Sequence, residues 1–326
     1  MFVRKDSHLI RVGMIGLDTS HVPAFTRIIN SPSFGNGIEQ LRIIAGYPGG
    51  TDLPLSRGRV AAFTQNVREM GVEIMPTISD LISSVDAVMI QSVDGRAHLR
   101  EAIPVILSGK PLFIDKPVAG SLSEAVAIYD LAAKEGVPVF SSSALRYSSE
   151  IRQILDDATI GGIVGGFTWG PCKSQPGIPD MFFYGIHGIE VLYTLMGTGC
   201  EMVSRISTSG TDLVTGVWSG GRIGSYRGIR NDEADFGAIA FGTRGMKSTR
   251  EKIEGYEGLC HKIAEFFIDK KPPISPETTL EIVAFMEAAD ESKRFEGQPF
   301  ALQACLEKAR DLASGQLAKA FSELGL

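Results

Sequence analysis

The stretch Pro111-Leu-Phe-Ile-Asp115-Lys116-Pro117 places an acid, a lysine and a proline directly after a short apolar run. The run predicts a buried strand, and open α/β sheets bind their ligands in the crevice at the carboxyl ends of such strands. A lysine there can polarise or protonate a substrate oxygen, and partial burial moves its pKa towards neutrality. Lys116 is therefore the leading candidate for a catalytic residue.

Strand and helix patterns alternate on both sides of this stretch as far as residue 140. Apolar runs predict strands at residues 9–16, 41–46, 85–90, 111–114 and 137–140, and helix patterns lie between them at 22–30, 55–70, 97–108 and 122–135. This alternation is typical of a parallel sheet with helices on both faces. We predict an α/β protein whose residues 1–143 form a Rossmann-type, doubly wound, dinucleotide-binding domain.

The second half of the chain has a different residue pattern. Short strands are predicted among Gly, Ser and Thr residues at 161–169, 202–209, 212–219, 222–228 and 236–242, with one embedded helix and further helices at the C-terminus. Residues 144–326 are expected to form an α+β domain for substrate binding and oligomerisation, built on a largely antiparallel open sheet. Because few helices are available to cover both sheet faces, we expect a homodimer or homotetramer.

Composition narrows the class of protein. The 326 residues exceed a usual single core, and 44% hydrophobic with 21% charged residues is typical of a globular protein. A net charge of -6 argues against a nucleic-acid partner. The four cysteines have no Cys-x-x-Cys spacing, and no apolar run approaches the ~20 residues of a membrane span. The opening eight residues lack the pattern of a secretion signal, so we expect a cytoplasmic protein without a membrane partner.

Several segments share their order and spacing with a known family. They are Val85-Asp-Ala-Val-Met-Ile90, Ser92-Val-Asp-Gly-Arg-Ala-His98, Leu107 to Pro117, Val137-Pro-Val-Phe140 with Arg146-Tyr147, and the C-terminal pieces Ile274 to Thr279, Ala288 to Ser292 and Gly297 to Phe300. Together they resemble the Gfo/Idh/MocA oxidoreductase superfamily, in which Asp115 would stand for the glutamate of a Glu-Lys-Pro motif. The resemblance implies an NAD- or NADP-dependent enzyme that transfers a hydride between nicotinamide and a hydroxyl or carbonyl of a small sugar or polyol-like substrate.

A second chemical cluster lies between residues 177 and 197. Apolar residues recur at four-three-four-three spacing, which predicts an amphipathic helix with one core face. In the family, the comparable helix carries a histidine that takes or gives the alcohol proton, often with an aspartate four residues before it. His187 matches this histidine, but position 183 is phenylalanine, so Asp180 or Tyr184 would have to assist. The predicted catalytic residues are Lys116, His187 and Tyr184, and the predicted substrate-binding residues are Lys116, Arg146, Tyr147, Asp180, Tyr184 and His187.

The first turn departs from the dinucleotide-binding pattern Gly-x-Gly-x-x-Gly. If Gly13 is the first glycine, Ile15 replaces the second and Asp18 the third, and an acid beside a pyrophosphate is repulsive. Hydroxyls and N–H groups at the start of the following helix could still receive an anion. The predicted cofactor-binding residues are Gly13, Ile15, Gly16, Thr19, Ser20, His21, Ser92, His98, Asp115 and Lys116.

Some alternatives stay open at this point. In this class of fold, an acid after the second strand binds the ribose hydroxyls of NAD, and an arginine there accommodates the 2′-phosphate of NADP. Asp52 and Arg57 both come several residues after that strand, so the sequence leaves the choice between NAD and NADP open. His187 and Glu190 lack a third ligand at meaningful spacing, so no metal site is predicted. A non-redox enzyme that uses a tightly held nicotinamide for oxidation, elimination and reduction is one alternative function. A ligand-binding relative that has lost its cofactor is another.

Overall fold

A computed structural model describes residues 9–33, 35, 38–231 and 233–326. The prediction for the opening eight residues lies outside this part of the chain. None of the described helices combines the length and the apolar character that a membrane span requires.

Six parallel strands form the first sheet, in the order β3-β2-β1-β4-β5-β6. Its strands are β1 (Ile10–Ile15), β2 (Leu41–Tyr47), β3 (Glu73–Ile74), β4 (Ala87–Ile90), β5 (Leu112–Asp115) and β6 (Val139–Ser142). The helices between them are α1 (His21–Ile29), α2 (Pro54–Arg57), α3 (Val60–Glu69), α4 (Ile78–Ser84), α5 (His98–Leu107) and α6 (Leu122–Glu135). This is the Rossmann strand order, and it confirms the predicted fold class of the first half.

The sequence explains these elements locally. Every residue of β4 and β5 is buried, as expected for parallel strands covered on both faces. Helix α6 begins after Ser121, whose hydroxyl accepts the Glu124 N–H at 3.2 Å, and ends at Gly136 with a φ of +67°. The helix predicted over 55–70 is instead two helices, α2 and α3, and the short elements β3 and α4 were not predicted.

The second sheet has seven strands in the order β12-β11-β7-β10-β9-β8-β13. They are β7 (Ile163–Pro171), β8 (Cys200–Ser207), β9 (Thr211–Trp218), β10 (Arg222–Ile229), β11 (Gly237–Gly242), β12 (Gly245–Ser248) and β13 (Phe300–Ala301). Among the described strands of this second sheet, only β7 and β10 pair in parallel. This confirms the prediction of a largely antiparallel sheet. The helices of this half are α7 (Ser149–Leu155), α8 (Gly185–Met196), α9 (Glu257–Asp269), α10 (Pro276–Arg294) and α11 (Leu302–Leu324).

Helices from the second half of the chain also pack on the first half. Helices α8 and α10 pack on one face of the second sheet, whereas α9 packs with α1 on the first sheet and α11 packs on α5 and α6. The first sheet ends at Ser142, close to the predicted boundary at residue 143. Because α9 and α11 return to the first half, the division of the chain at that residue stays a prediction.

The opposite face of the second sheet has no helix among the described residues. Strand register places six exposed apolar residues together on this open face: Ile206, Leu213, Val217, Ile223, Phe241 and Met246. Ile206 is 67% exposed and Met246 is 72% exposed. An apolar sheet face of this kind is typical of a protein–protein interface.

Candidate active site

The crevice of the first sheet lies at the carboxyl ends of β1 and β4, the point from which the strand order runs outwards in both directions. β1 ends at Ile15, and Gly16 follows with a φ of +84°. A Cβ atom on Gly16 would fall 2.0 Å from Ser92 Oγ. Only glycine lets the turn after β1 approach the segment after β4 this closely, so Gly16 is the first glycine of the dinucleotide-type turn.

This register corrects the sequence-based one. Gly13 and Ile15 are residues within β1, and a Cβ on Gly13 would come within 2.6 Å of Leu81 Cδ2. The small size of Gly13 therefore serves the packing of α4 on the sheet, and cofactor binding by Gly13 and Ile15 stays a prediction. In the corrected register Asp18 stands at the second glycine and His21 at the third.

Asp18 turns its carboxylate inwards and bridges three segments. Its Oδ1 accepts the backbone N–H of Val93 at 2.8 Å, and its Oδ2 accepts the Ser56 hydroxyl at 2.6 Å. The side chain is completely buried, and burial raises the pKa of Asp18 against the opposing effect of these hydrogen bonds. The carboxylate thus occupies the space between the turn after β1 and the segment after β4.

His21 is the first residue of α1, and it is buried against the end of β5. Its Nδ1 lies 2.5 Å from Asp115 Oδ2. The second carboxylate oxygen of Asp115 accepts the backbone N–H of Lys116 at 2.9 Å. Asp115 is buried, yet its pKa is lowered because the effects of His21 and Lys116 outweigh desolvation. Asp115 is therefore a carboxylate anion at neutral pH, held between two cationic or polar partners.

Lys116 follows directly and reaches into the crevice. It is half-buried and lines the cavity described below. Burial lowers the pKa of its ammonium group, while Asp115 and Glu190 act in the opposite direction. Such a lysine releases its proton more easily than an exposed one.

His187 approaches the same cavity from α8. Its Nδ1 lies 2.7 Å from the Ser143 hydroxyl, just after β6, and its ring packs edge-on against Tyr184 and Phe236 at 5.9 Å and 5.6 Å between ring centres. Burial, and then the nearby charges of Lys116 and His21, hold the pKa of His187 well below 6.5. The ring is therefore neutral at physiological pH, and its ordering partner is a hydroxyl rather than a carboxylate.

Glu190 lies one turn further along α8 and ties this helix to the end of β6. It accepts the Ser142 hydroxyl at 2.5 Å, the Ser143 N–H at 2.7 Å and Arg146 Nε at 2.9 Å. Arg146 and Tyr147 do not line the cavity, so the structure does not support their predicted contact with substrate. Ala144 and Leu145 of the same turn line it instead.

Asp180 is also placed elsewhere. It precedes α8 and binds Arg205, Arg230 and Lys293 at 2.5 Å, 2.9 Å and 2.8 Å in a cluster of ion pairs. The helix begins only at Gly185, and the preceding loop carries the carboxylate of Asp180 towards these cations. The predicted contact of Asp180 with substrate stays a prediction.

Ser92 and His98 support the crevice from behind. The Ser92 hydroxyl is 2.8 Å from both carboxylate oxygens of buried Glu101, and His98 Nε2 bonds the Ser92 carbonyl oxygen at 2.8 Å. His98 Nδ1 bonds the Val118 carbonyl oxygen at 3.3 Å. These hydrogen bonds shape the segment after β4, and neither residue lines the two cavities described below. Contact of Ser92 and His98 with cofactor stays a prediction.

The largest group of predicted residues meets in one cavity of about 430 Å³ between the two halves of the chain. Its predicted lining residues are Thr19, Ser20, His21, Lys116, Tyr184 and His187. Sequence reasoning missed other residues of the wall, among them Arg59, Asp235, Lys252, Glu254 and Tyr256. No motif marks these residues, because only the folding of the start of α3, the segment before β11 and the segment before α9 brings them to the crevice.

A second cavity, of about 570 Å³, lies on the other side of the Asp18 bridge. It is lined by residues of the segment after β2, the start of α4 and the start of α5, including Tyr47, Gly49, Asp52, Ile78 and Arg100. The described residues contain no group of three or more His, Cys, Asp or Glu residues that could hold a metal ion.

Residues 55–143 match the sequence profile of an oxidoreductase family with an NAD-binding Rossmann fold, Gfo/Idh/MocA. The matched range is less than half of the chain. The matched range begins after the unusual Gly16–His21 turn. A curated relative, inositol 2-dehydrogenase 3 of Saccharopolyspora erythraea, is 27% identical over 177 residues, which are 53% of this chain and 46% of that protein. The match therefore spans less than half the length of that relative.

Solved structures of dehydrogenases share the fold over about nine-tenths of this chain. A probable dehydrogenase from Thermotoga maritima superposes with a TM-score of 0.73 at 16% identity, covering 91% of this chain and all of the other. Scyllo-inositol dehydrogenase from Lactobacillus casei, solved with NAD(H) and scyllo-inositol, gives a TM-score of 0.72 at 15% identity, covering 90% and 99%. At these identities the likeness concerns the fold.

The site fits a dinucleotide at its two ends and obstructs its middle. The two cavities flank the turn after β1, one beside Lys116 and one beside the end of β2. At the start of α1, Thr19 and Ser20 have no acceptor for their backbone N–H groups among the described residues, and Arg59 lines the same wall. These groups suit a pyrophosphate. The bridge from Asp18 to Val93 separates the cavities, so an extended dinucleotide requires that this carboxylate moves aside.

Proposed function

We propose that this protein is an NAD(P)-dependent dehydrogenase that acts on a CH–OH group of a small sugar or polyol-like substrate. The observation that carries the proposal is that Lys116, from the end of β5, and His187, from α8, line one cavity. The match of residues 55–143 to the oxidoreductase family, and the inositol dehydrogenases with which the chain is compared, support the same reaction class.

Each group has a proposed role in this cavity. Lys116 donates a hydrogen bond to the reacting oxygen and stabilises the negative charge that develops there. His187 contacts the same oxygen and is the acid–base group that the family resemblance implies, with Tyr184 beside it. A bound nicotinamide would accept or return the hydride. Thr19, Ser20 and Arg59 are proposed to hold the cofactor phosphates.

The direct test combines binding with turnover. Calorimetric titration with NAD, NADH, NADP and NADPH is expected to show saturable binding of at least one form and to establish which of NAD and NADP is used. Turnover is then followed with myo-inositol, scyllo-inositol and a set of simple sugars. Absence of binding by all four cofactor forms up to millimolar concentration would instead favour a ligand-binding relative without redox activity. The Asp18 bridge supports this alternative because it lies between the two cavities.

Asp18→Gly is expected to raise the affinity for the dinucleotide by about tenfold or more, equivalent to about 1.4 kcal/mol. The substitution removes both a buried carboxylate and the bridge that separates the two cavities. The measurement is the Kd of each cofactor form by calorimetry, compared with the natural protein.

Asp18→Asn is the matched control, because it removes the charge while keeping an oxygen that can accept the Val93 N–H. If charge repulsion limits binding, both variants bind more tightly. If the space filled by the bridge limits binding, only the glycine variant does. Unchanged affinity in both variants would contradict the role given to Asp18.

Self-association through the open face of the second sheet is a further part of the proposal. Light scattering at micromolar concentration is expected to give two or four times the 35.1 kDa chain mass. Ile223→Glu buries a charge in that interface and should shift the protein to monomers. Leu312→Glu, at an exposed position on α11, is the control that should leave the mass unchanged. A monomer in the natural protein would contradict the interface.

A cytoplasmic location stays a prediction.

A further inference from the structure

We infer that an ion-pair clamp in the second cavity makes the protein select NAD over NADP. The clamp consists of Arg96 held between Asp94 and Asp52. The inference deepens the proposed dehydrogenase function and rests on it. In Rossmann-type folds, the side chain that distinguishes a ribose hydroxyl from a 2′-phosphate follows the second strand. Here two of the three deciding side chains come from the segment after β4.

The second cavity lies at the place where the 2′ position of the ribose is recognised. Its wall includes Tyr47, the last residue of β2, and the loop that follows. Gly49 and Gly50 have φ values of +60° and +102°, which fold this loop back on itself. A Cβ atom on Gly49 would lie 3.2 Å from Gly16 Cα, so the loop runs close against the turn after β1. Asp52 follows β2 late in the sequence, yet this loop places it in the cavity wall.

The guanidinium of Arg96 is bound from two sides. Its Nε donates to Asp94 Oδ1 at 2.9 Å, and its Nη2 donates to Asp94 Oδ2 at 2.6 Å. Nη2 also donates to Asp52 Oδ1 at 3.0 Å, across to the loop after β2. Desolvation acts to raise the pKa of the buried Asp94, but hydrogen bonds from Arg96 and Thr51 and the charge of Arg96 lower it overall. Asp94 is therefore an anion at neutral pH, and it holds Arg96 in place.

Asp52 keeps an acceptor for a ribose hydroxyl. Its side chain is 75% exposed, and within the described part of the chain its Oδ2 makes no hydrogen bond. A carboxylate oxygen accepts hydrogen bonds from hydroxyl groups and repels a phosphate. Because Arg96 fixes the other oxygen of Asp52, the carboxylate is already ordered before a ligand binds.

The charges around the cavity disfavour a 2′-phosphate. The clamp combines one guanidinium with two carboxylates, so the charge of Arg96 is more than compensated. Arg100, the other arginine of the wall, pairs with Glu323 at 3.2 Å. Arg57, which the sequence leaves open as a partner for NADP, does not line this cavity. A phosphate group brings a charge of roughly -1.5 to -2 at neutral pH, and no uncompensated cation of the described wall receives it.

Calorimetric titration of NAD and NADP into four proteins tests the clamp: the natural chain, Asp52→Asn, Asp94→Asn and Asp130→Asn. The natural protein is expected to bind NAD more tightly than NADP by about tenfold or more. Asp52→Asn should lower this preference by about tenfold, because it weakens the acceptor for the ribose and removes a charge that repels phosphate. Asp130→Asn makes the same change of charge at an exposed position on α6, outside the cavity, and should leave the preference unchanged.

Asp94→Asn probes the clamp from its buried side. The amide oxygen can still accept the Arg96 backbone N–H, but the guanidinium loses its buried counter-charge. The affinity for NADP is therefore expected to rise by about tenfold or more while the affinity for NAD changes less. Melting curves show whether this variant folds. Because Asp52 is an exposed side chain, Asp52→Asn gives the deciding ratio if Asp94→Asn does not fold.

Two results would overturn the clamp while the dehydrogenase function stands. One is a natural protein that binds NADP as tightly as NAD. The other is a preference for NAD that stays the same in folded Asp52→Asn and Asp94→Asn. Absence of binding by all four cofactor forms in the natural protein would instead overturn the proposed function itself.

Discussion

Replacing Lys116 with alanine is expected to lower turnover by on the order of 10² or more while leaving the melting temperature and the cofactor affinity nearly unchanged. The ammonium group is the donor that touches the reacting oxygen, so its contribution appears when charge develops on that oxygen. Burial of the charged Lys116 side chain is unfavourable for folding, because desolvation disfavours the ammonium form and lowers its pKa. Removing it therefore should not unfold the chain.

The pH dependence of turnover gives a second readout for Lys116. The charged form is the donor, and it is lost as pH rises through a pKa below that of an exposed lysine. The alkaline limb of the turnover profile should therefore begin earlier than for an ordinary lysine and should vanish in Lys116→Ala. Lys271→Ala, at an exposed position, is the control for a general loss of positive charge. A folded Lys116→Ala protein with full activity would end the catalytic assignment.

The fold could be predicted because its strongest signals are local. The buried runs at β4 and β5 have no polar interruption, and the caps around α6 mark its ends within one or two residues. Elements with few residues and no pattern of their own escaped prediction, such as β3 with two residues and β13 with two. Their pairing depends on neighbouring strands, which the local sequence does not reveal.

The candidate site was only partly predictable, and the reasons differ from residue to residue. Lys116 directly follows β5 and His187 lies on α8, so their place in the fold followed from those elements. Gly13 was misplaced because nothing in the sequence marks where β1 ends. Asp180 was misplaced because Arg205, from a distant strand, attracts it away from the crevice.

The turn after β1 shows the same limit in its chemistry. From sequence, Asp18 is an acid placed where a phosphate is expected, which suggests repulsion alone. The structure adds the Val93 N–H and the Ser56 hydroxyl, contributed by segments 75 and 38 residues away, and these turn the carboxylate into a bridge. Likewise, His21 reads as a helix-capping residue until the end of β5 brings Asp115 to its ring.

His187→Asn is expected to lower turnover by on the order of 10² and to remove the acid limb that this residue contributes. Because the pKa of His187 is held well below 6.5, its ring becomes charged only as pH falls through that lowered value, so the limb lies on the acid side of 6.5. If His187 and Lys116 act on one oxygen, the double variant Lys116→Ala/His187→Asn should be little slower than Lys116→Ala alone, since residues that serve one step are not additive. Steady-state rates and melting curves on the natural protein, the two single variants and the double variant decide this. Independent, multiplying losses of turnover together with lowered melting temperatures would show instead that His187 supports the packing of α8 and takes no part in the step.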